Sequence, residues 1–163
     1  MIRNAVPEDA QAICDIYNYY VLHTIVTFEE ECVLAEDMAQ RITLVLGKYN
    51  WIVYEHEGEI VGYAYAGEWK SRCSYRFSVE ISVYLRNGYS GSGIGSKLYT
   101  DLLNTLNSTE IHAIIGGISL PNPESVALHE KFGFEKIAQF KEVGYKFNQW
   151  IDVGYWEKVL EKK

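Results

Sequence analysis

The chain is poor in the groups that hold small or metal-dependent proteins together. Its three cysteines, Cys14, Cys32 and Cys73, are odd in number and show no paired spacing. This predicts reduced thiols in a cytoplasmic protein rather than a disulfide framework. Four scattered histidines give no clustered metal-ligand spacing, so no metal is expected. No apolar run approaches the ~18 residues of a membrane span, and the opening MIRNAVPEDAQ turns acidic before any signal-like apolar segment. Basic residues are also in deficit. Fifteen Lys and Arg against 22 Asp and Glu leave a net charge of −7, which disfavours a backbone-driven nucleic-acid binder.

What is present fits a globular chain. Its 163 residues, 48% of them hydrophobic, suffice for one domain with its own core, and no linker, repeat or low-complexity segment divides it. Residues 2–4 read as a short strand. Pro7, Glu8 and Asp9 then suit the first turn of a helix that carries Ala10, Ile13, Ile16, Tyr17, Tyr20 and Val21 on one face. A turn-like stretch over 23–31 leads to a second helix at 34–46. Strands follow at 51–54 and 60–66 around a Glu57-Gly58 turn, with a polar, aromatic loop over 69–75. Residues 77–85 alternate cleanly, with Phe77, Val79, Ile81, Val83 and Leu85 opposite Ser78, Glu80, Ser82 and Tyr84. A helix of about fourteen residues ends near Leu106. Next come a strand at 111–115, a helix at 121–132 stopped by Gly133, and strands at 134–140 and 149–160. The order β-α-α-β-β-β-α-β-α-β-β predicts an α/β domain on one mixed sheet, not a doubly wound dinucleotide fold.

The most informative stretch is YSGSGIGSKLY, residues 89–99, with glycines at 91, 93 and 95 leading into the helix. Bare backbone permits tight turns and close approach of a ligand. The free N–H groups of the helix's first turn, with the helix dipole, then favour an anion such as phosphate. A plain glycine-rich turn has the same composition. The spacing is not the G-x-G-x-x-G of a nicotinamide site, and no Gly-Lys-Ser/Thr ending marks a triphosphate loop.

With its flanks, SVYLRNGYSGSGIGSKLYTDLL resembles the acetyl-coenzyme A motif of the GCN5-related N-acetyltransferases. IYNYYVLHTIVTFE, WKSRCSYRFSVEISVYL, ISLPNPESVALHEKFGF and VGYKFNQWIDVGYWE extend the resemblance over residues 2–158, and are similar to the phosphinothricin and methionine sulfoximine N-acetyltransferases. The resemblance implies a twisted, mostly antiparallel sheet flanked by about four helices. It implies acetyl-CoA as cosubstrate, cradled by Ser90, Gly91, Ser92, Gly93, Ile94, Gly95 and Ser96. Main-chain groups of Val83 and Leu85 would meet the pantetheine arm, with Asn122, Ser125 and His129 contributing from the next helix. Ser90 stands where the family usually has Arg or Gln, which implies weaker coenzyme affinity while the main-chain cradle stays intact.

Acetyl transfer needs a neutral amine, hence a base within direct or water-mediated reach. Glu80 is the candidate, alternating away from Val79 and Ile81 beside the coenzyme segment. A solvent-facing glutamate gives the same pattern, and only the resemblance separates the two readings. His129 is the second candidate, one turn from Ser125, as an acid or assisting group to the leaving thiolate; a structural histidine is equally compatible with its spacing. For an amino-acid acceptor, Arg72 and Arg76 suit a carboxylate. Thr27, Phe28, Trp69, Tyr75 and Lys146 match substrate-lining segments of the family. The aromatic C-terminal stretch YKFNQWIDVGYW predicts a homodimer. The expected activity is acetylation of the α-amino group of a small amino-acid-like acceptor. Acetylation of another amine or a protein N-terminus, or non-catalytic coenzyme binding, remains compatible with the same sequence.

Overall fold

The computed structural model describes residues 1–161. Its strands are β1 (Ile2–Asn4), β2 (Trp51–His56), β3 (Glu59–Glu68), β4 (Ser78–Leu85), β5 (Ala113–Leu120), β6 (Glu135–Lys146) and β7 (Gln149–Val159). They form one sheet in the order β1-β2-β3-β4-β5-β7-β6, antiparallel throughout except for the β4–β5 pair. The helices are α1 (Ala10–His23), α2 (Ala35–Leu46), α3 (Ile94–Asn107) and α4 (Pro123–Lys131). The element order and mixed sheet are those expected from the sequence.

Alternation along the strands loads both faces. On one, Ala64, Ala66, Val79, Ile81, Ile114 and Ile118 meet Leu98, Leu102 and Leu106 of α3, spaced four residues apart along one stripe of the helix. On the other, Val53 and Tyr63 meet Ile13, Ile16 and Val21 of α1 and Met38 and Ile42 of α2. Each such fully buried aliphatic side chain contributes roughly 1.5–3 kcal/mol.

Two elements differ from expectation. The strand expected at 111–115 runs from Ala113 to Leu120. Gly116-Gly117 looks like its end, but β7 pairs along its whole length, from Ala113↔Val159 to Leu120↔Asp152. The strand expected at 134–140 continues to Lys146 through a bulge between Phe140 and Gly144. There the Asp152 carboxylate accepts the Glu142 N–H at 2.9 Å and so satisfies the displaced backbone. Phe147 and Asn148, both at positive φ, then close a two-residue hairpin.

The N-terminus is tied in by charge. Arg3 donates to both oxygens of Asp9 at 2.7 and 2.9 Å, and Asp9 also accepts the Val6 N–H at 2.9 Å. The Arg3 hydrogen bonds hold the Asp9 carboxyl below its usual range. A depressed carboxyl stabilises the fold above its unfolded pKa, about 3.9, and that stabilisation is lost as pH falls through the lower folded value. Asp9→Asn is expected to lose about 1–3 kcal/mol at neutral pH. In urea titrations at several pH values, the gap should shrink as pH falls below about 3.9 and close only below the lowered folded value. A gap that persists in acid would assign the effect to something other than this charge.

Candidate active site

The site originates in a parting of strands. β4 and β5 pair over only three positions, Ser78↔Ala113, Val79↔Ile114 and Glu80↔Ile115, although both continue for five more residues. Beyond Glu80 they diverge, and the sheet opens. Arg86 N–H bonds to Val61 C=O at 2.8 Å. Strand alternation therefore turns the main-chain groups of Val83 and Leu85 away from β3, into the opening. The Leu85 carbonyl is already occupied by the Tyr20 hydroxyl at 2.6 Å.

Where the opening meets the glycine loop, a cleft of about 500 Å³ forms. Val83, Leu85, Ser90, Gly91, Gly93, Gly95, Ser96, Asn122 and Ser125 line it, together with Tyr19, Tyr20, Val26, Leu128 and Lys131. Gly93, at φ 79°, takes a left-handed conformation at the N-cap of α3 that only glycine adopts at little cost. The first helical bond runs from Lys97 N–H to Gly93 C=O at 3.1 Å. The amides of Ile94, Gly95 and Ser96 are thus left without an intrahelical acceptor. Ile94 buries its side chain in the core, and Ser92 turns its hydroxyl to the Tyr89 carbonyl at 2.5 Å. Neither side chain lines the cleft, and the Ser92 N–H also donates to the Tyr89 carbonyl at 3.4 Å.

Two contacts hold the cleft walls at a set distance. Lys131 of α4 donates to the Ser96 hydroxyl of α3 at 2.9 Å, which places a cation at the mouth. Deeper, the Nδ1 of His129 lies 2.7 Å from the Ser125 carbonyl and its Nε2 lies 3.0 Å from the Tyr99 hydroxyl. A carbonyl only accepts, so Nδ1 carries the proton and Nε2 receives the Tyr99 O–H. His129 is 3% exposed, and burial lowers its pKa, so the ring is neutral at physiological pH. A Cβ on Gly116 would fall 2.3 Å from its Nε2, so the ring lies flush on β5. His129 is therefore not among the side chains lining the cleft. Its neighbourhood is that of a buried bridge between α3 and α4, the structural placement that its spacing also allowed.

Glu80 stands at the apex of the opening, on the other face of β5 from His129: a Cβ on Gly117 would lie 3.0 Å from its Oε1. The Tyr155 ring borders the same point, and Trp69 packs edge-on against Tyr155 at 5.6 Å. Burial raises the Glu80 pKa above the usual carboxylate range, with the nearby Lys70 opposing the shift.

The other expected acceptor residues do not all gather here. Arg72 and Arg76 line a separate cavity of about 620 Å³ with Lys48, Lys70, Glu68 and Glu110. Tyr75 sits in an exposed 3-10 turn. Thr27 shares a hydrogen bond with the Tyr17 hydroxyl at 2.6 Å, and its carbonyl accepts the Lys146 ammonium at 2.8 Å. Lys146, 2% exposed and lowered in pKa by burial, ties β6 to the segment after α1 rather than facing an open pocket. Phe28 lies over Gly144, where no Cβ would fit. The sequence alone does not place Lys131, Tyr19 or Tyr20 at the site, and it sets Tyr20 only on the apolar face of the first helix. A base at the end of α4 and an aromatic pair late in α1 are ordinary signals until folding sets them around the loop.

Among the described residues no three or more His, Cys, Asp or Glu side chains are grouped to hold a metal, and no helix is long and apolar enough to cross a membrane.

This architecture, a sheet split beside a glycine-loop helix, defines an acyltransferase scaffold. Residues 2–154 match the acetyltransferase (GNAT) domain family, and the chain belongs to that family. It is 37% identical over 160 residues to a phosphinothricin N-acetyltransferase of Streptomyces viridochromogenes, covering 98% of this chain and 87% of that protein. It is 35% identical over 162 residues to an L-methionine sulfoximine/L-methionine sulfone acetyltransferase of Salmonella typhimurium, covering 99% and 95%. Its fold is similar to the crystal structure of a phosphinothricin acetyltransferase from Sinorhizobium meliloti in complex with acetyl-CoA, with TM-score 0.95, 34% identity, and 98% and 88% of the chains covered. The resemblance read from the motifs holds, and the protein is a GNAT N-acetyltransferase.

The bridge between the cleft walls is testable. Tyr99→Phe leaves the buried His129 Nε2 without a donor and is expected to cost about 1–3 kcal/mol of stability, read as a lower urea midpoint. Unchanged stability would show that the bond contributes nothing to holding α3 and α4 together.

Proposed function

We propose that the enzyme transfers an acetyl group from acetyl-CoA to the α-amino group of a small amino-acid-like acceptor of the phosphinothricin, methionine sulfoximine or methionine sulfone type. The observation that carries this reading is the placement of Glu80, with its raised pKa, at the apex of an opening whose far end is a cradle of unpaired helix amides. The names of the relatives supply the acceptor class.

The residues fit the coenzyme. The amides of Ile94, Gly95 and Ser96 suit a diphosphate, the dipole of α3 adds to the attraction, and the Lys131 ammonium supplies a countercharge at the mouth. Ser90, in place of a longer basic or amide side chain, leaves that task to the main chain and Lys131. Val83 offers free main-chain groups to the amides of the pantetheine arm, which would continue the broken β4–β5 ladder. Bound acetyl-CoA supplies the activated acyl thioester.

Glu80 takes the proton that the acceptor ammonium must lose, directly or through one water. Its raised pKa brings it nearer to the working pH, where a base is most effective. Gly117 leaves β5 bare beside the apex, so the amine can approach along Glu80's face, while Gly116 on the opposite face is covered by the His129 ring. His129 acts through position: it fixes α4, and with it Asn122 and Ser125, against α3. Asn122 caps α4 by accepting the Ser125 N–H at 3.1 Å, which leaves its side-chain amide free to donate to the coenzyme. The cations at Arg72 and Arg76 suit the acceptor's carboxylate only if their loop moves toward Glu80. The three cysteines are free, which suits a reducing cytoplasm, and direct attack assisted by Glu80 requires no acyl-cysteine.

The protein is also proposed to be a homodimer. Ile137, Phe140, Val143, Tyr145 and Trp150 are each more than half exposed on the β6–β7 hairpin, an apolar surface that a second copy would cover. Light scattering at micromolar concentration should give twice the 18.7 kDa chain mass. A single-chain mass would remove the dimer and any shared acceptor pocket.

The catalytic reading is tested by Glu80→Gln, expected to slow turnover roughly 10²- to 10⁴-fold with acetyl-CoA affinity nearly unchanged. Because burial raises the Glu80 pKa, the wild-type acid limb should lie above the ordinary glutamate value, about 4.3. That limb should be missing from the variant, whose activity then rises only as the acceptor itself deprotonates. Coincident pH–rate profiles would show that Glu80 is only a strand residue. Thiol release across amino acids, peptides and polyamines tests the acceptor class, and a preference for peptides or polyamines would overturn it.

A further inference from the structure

Gly117 is a central-strand residue with a conformation any L-residue could adopt, because its φ lies outside the left-handed region. Glycine weakens a strand interior, and where the backbone does not require it, something approaching closely usually does. Gly117 is exposed, although Gly116 and Ile118 on either side are buried. The exposure follows from the topology. Helices α1 and α2 pack over β2, β3 and β4, and Gly117 lies just past Ile115, where β4 and β5 part.

The space above it is bounded by chemistry. A Cβ at Gly117 would lie 3.0 Å from Glu80 Oε1 and 3.2 Å from a Tyr155 ring carbon, both tighter than ordinary contact. Trp69 backs the Tyr155 ring. The missing side chain therefore leaves bare backbone beside a base and an aromatic wall.

We propose that Gly117 is the floor of the acceptor pocket, and that its missing side chain sets how close and how large an acceptor can stand against Glu80. This rests on the reading of Glu80 as the base, and it adds a specificity-determining position that makes no contact with the coenzyme cradle. A β-carbon there pushes the carboxylate and the ring outward by a few tenths of an ångström, and a branched side chain fills the floor.

The test is steady-state kinetics of Gly117→Ala and Gly117→Val with methionine sulfone and shorter α-amino acids. Acetyl-CoA affinity is measured by calorimetry and the melting temperature is followed in parallel. Acceptor kcat/KM for methionine sulfone should fall about tenfold for Ala and about a hundredfold for Val, the scale of a misplaced reacting group. The losses should be smaller for shorter acceptors. Acetyl-CoA Kd and melting temperature should hold, since alanine and valine suit a strand better than glycine does. A merely structural role would move those two readouts first. A folded variant with wild-type acceptor kcat/KM overturns the proposal, as does a loss shared equally by acetyl-CoA binding. If the Val variant fails to fold, the Ala variant decides. Glu80→Gln separates the two layers. If it retains full activity, the base assignment fails. The size-dependent acceptor loss in the Gly117 variants still decides whether residue 117 is the floor.

Discussion

The structure depends on one broken pairing. After three parallel positions, β4 and β5 abandon each other and leave strand backbone unpaired in the middle of a sheet. The freed backbone groups face an open cleft, where water or a ligand that hydrogen bonds like a strand can satisfy them. Everything around it either keeps the strands apart or lines the gap. Tyr20 caps the Leu85 carbonyl from α1, β7 holds β5 along its full length, and α3 and α4 are pinned to each other across the cleft.

Three titratable groups, two buried and one half-buried, show how placement alone divides roles. Glu80, His129 and Lys146 are all pushed by burial toward their neutral forms. Lys146 has two carbonyls in reach of its ammonium, which ties β6 to the chain after α1. Both nitrogens of His129 have partners, so it is finished as a hydrogen-bonding group and acts as a brace. Among the described residues, none forms a hydrogen bond with the Glu80 side chain that would fix its protonation. A carboxyl with a raised pKa, bare backbone beside it and no committed partner is a group available for proton transfer.

Much of this was legible in the chain. Alternation over 77–85 located β4 and the face of Glu80, because a strand's period of two leaves no other choice once Val79 and Ile81 are inside. The glycines before α3 announced backbone that something must approach, and the family motifs around them named the chemistry. Less legible were the strand ends and the distant pairs. Gly116-Gly117 resembles a strand terminus when read locally, and only β7 on one side carries β5 through it. Nothing in the sequence brings Lys131 to Ser96 or Tyr99 to His129, separated by about thirty residues of helix, turn and strand. Arg72 and Arg76 were grouped with Glu80 because they precede it closely. The fold instead places them at a different cavity, with residues of β3 and of the stretch before β5, which closeness in sequence does not specify.

By itself the sequence determined the periodicities, the caps and turns, and which residue types were on hand: a glycine loop at a helix mouth and a glutamate on a half-buried strand. These depend on interactions over a few residues, and those are encoded locally. Only the tertiary structure decided that β4 and β5 part at Glu80, that His129 is sealed beneath one face while Glu80 opens on the other, and that Gly117 lies exposed between Glu80 and Tyr155. Those outcomes depend on which strand pairs with which and how two helices lean on the sheet. They are set by long-range packing and by the need to satisfy buried backbone, and no window of neighbouring residues contains either.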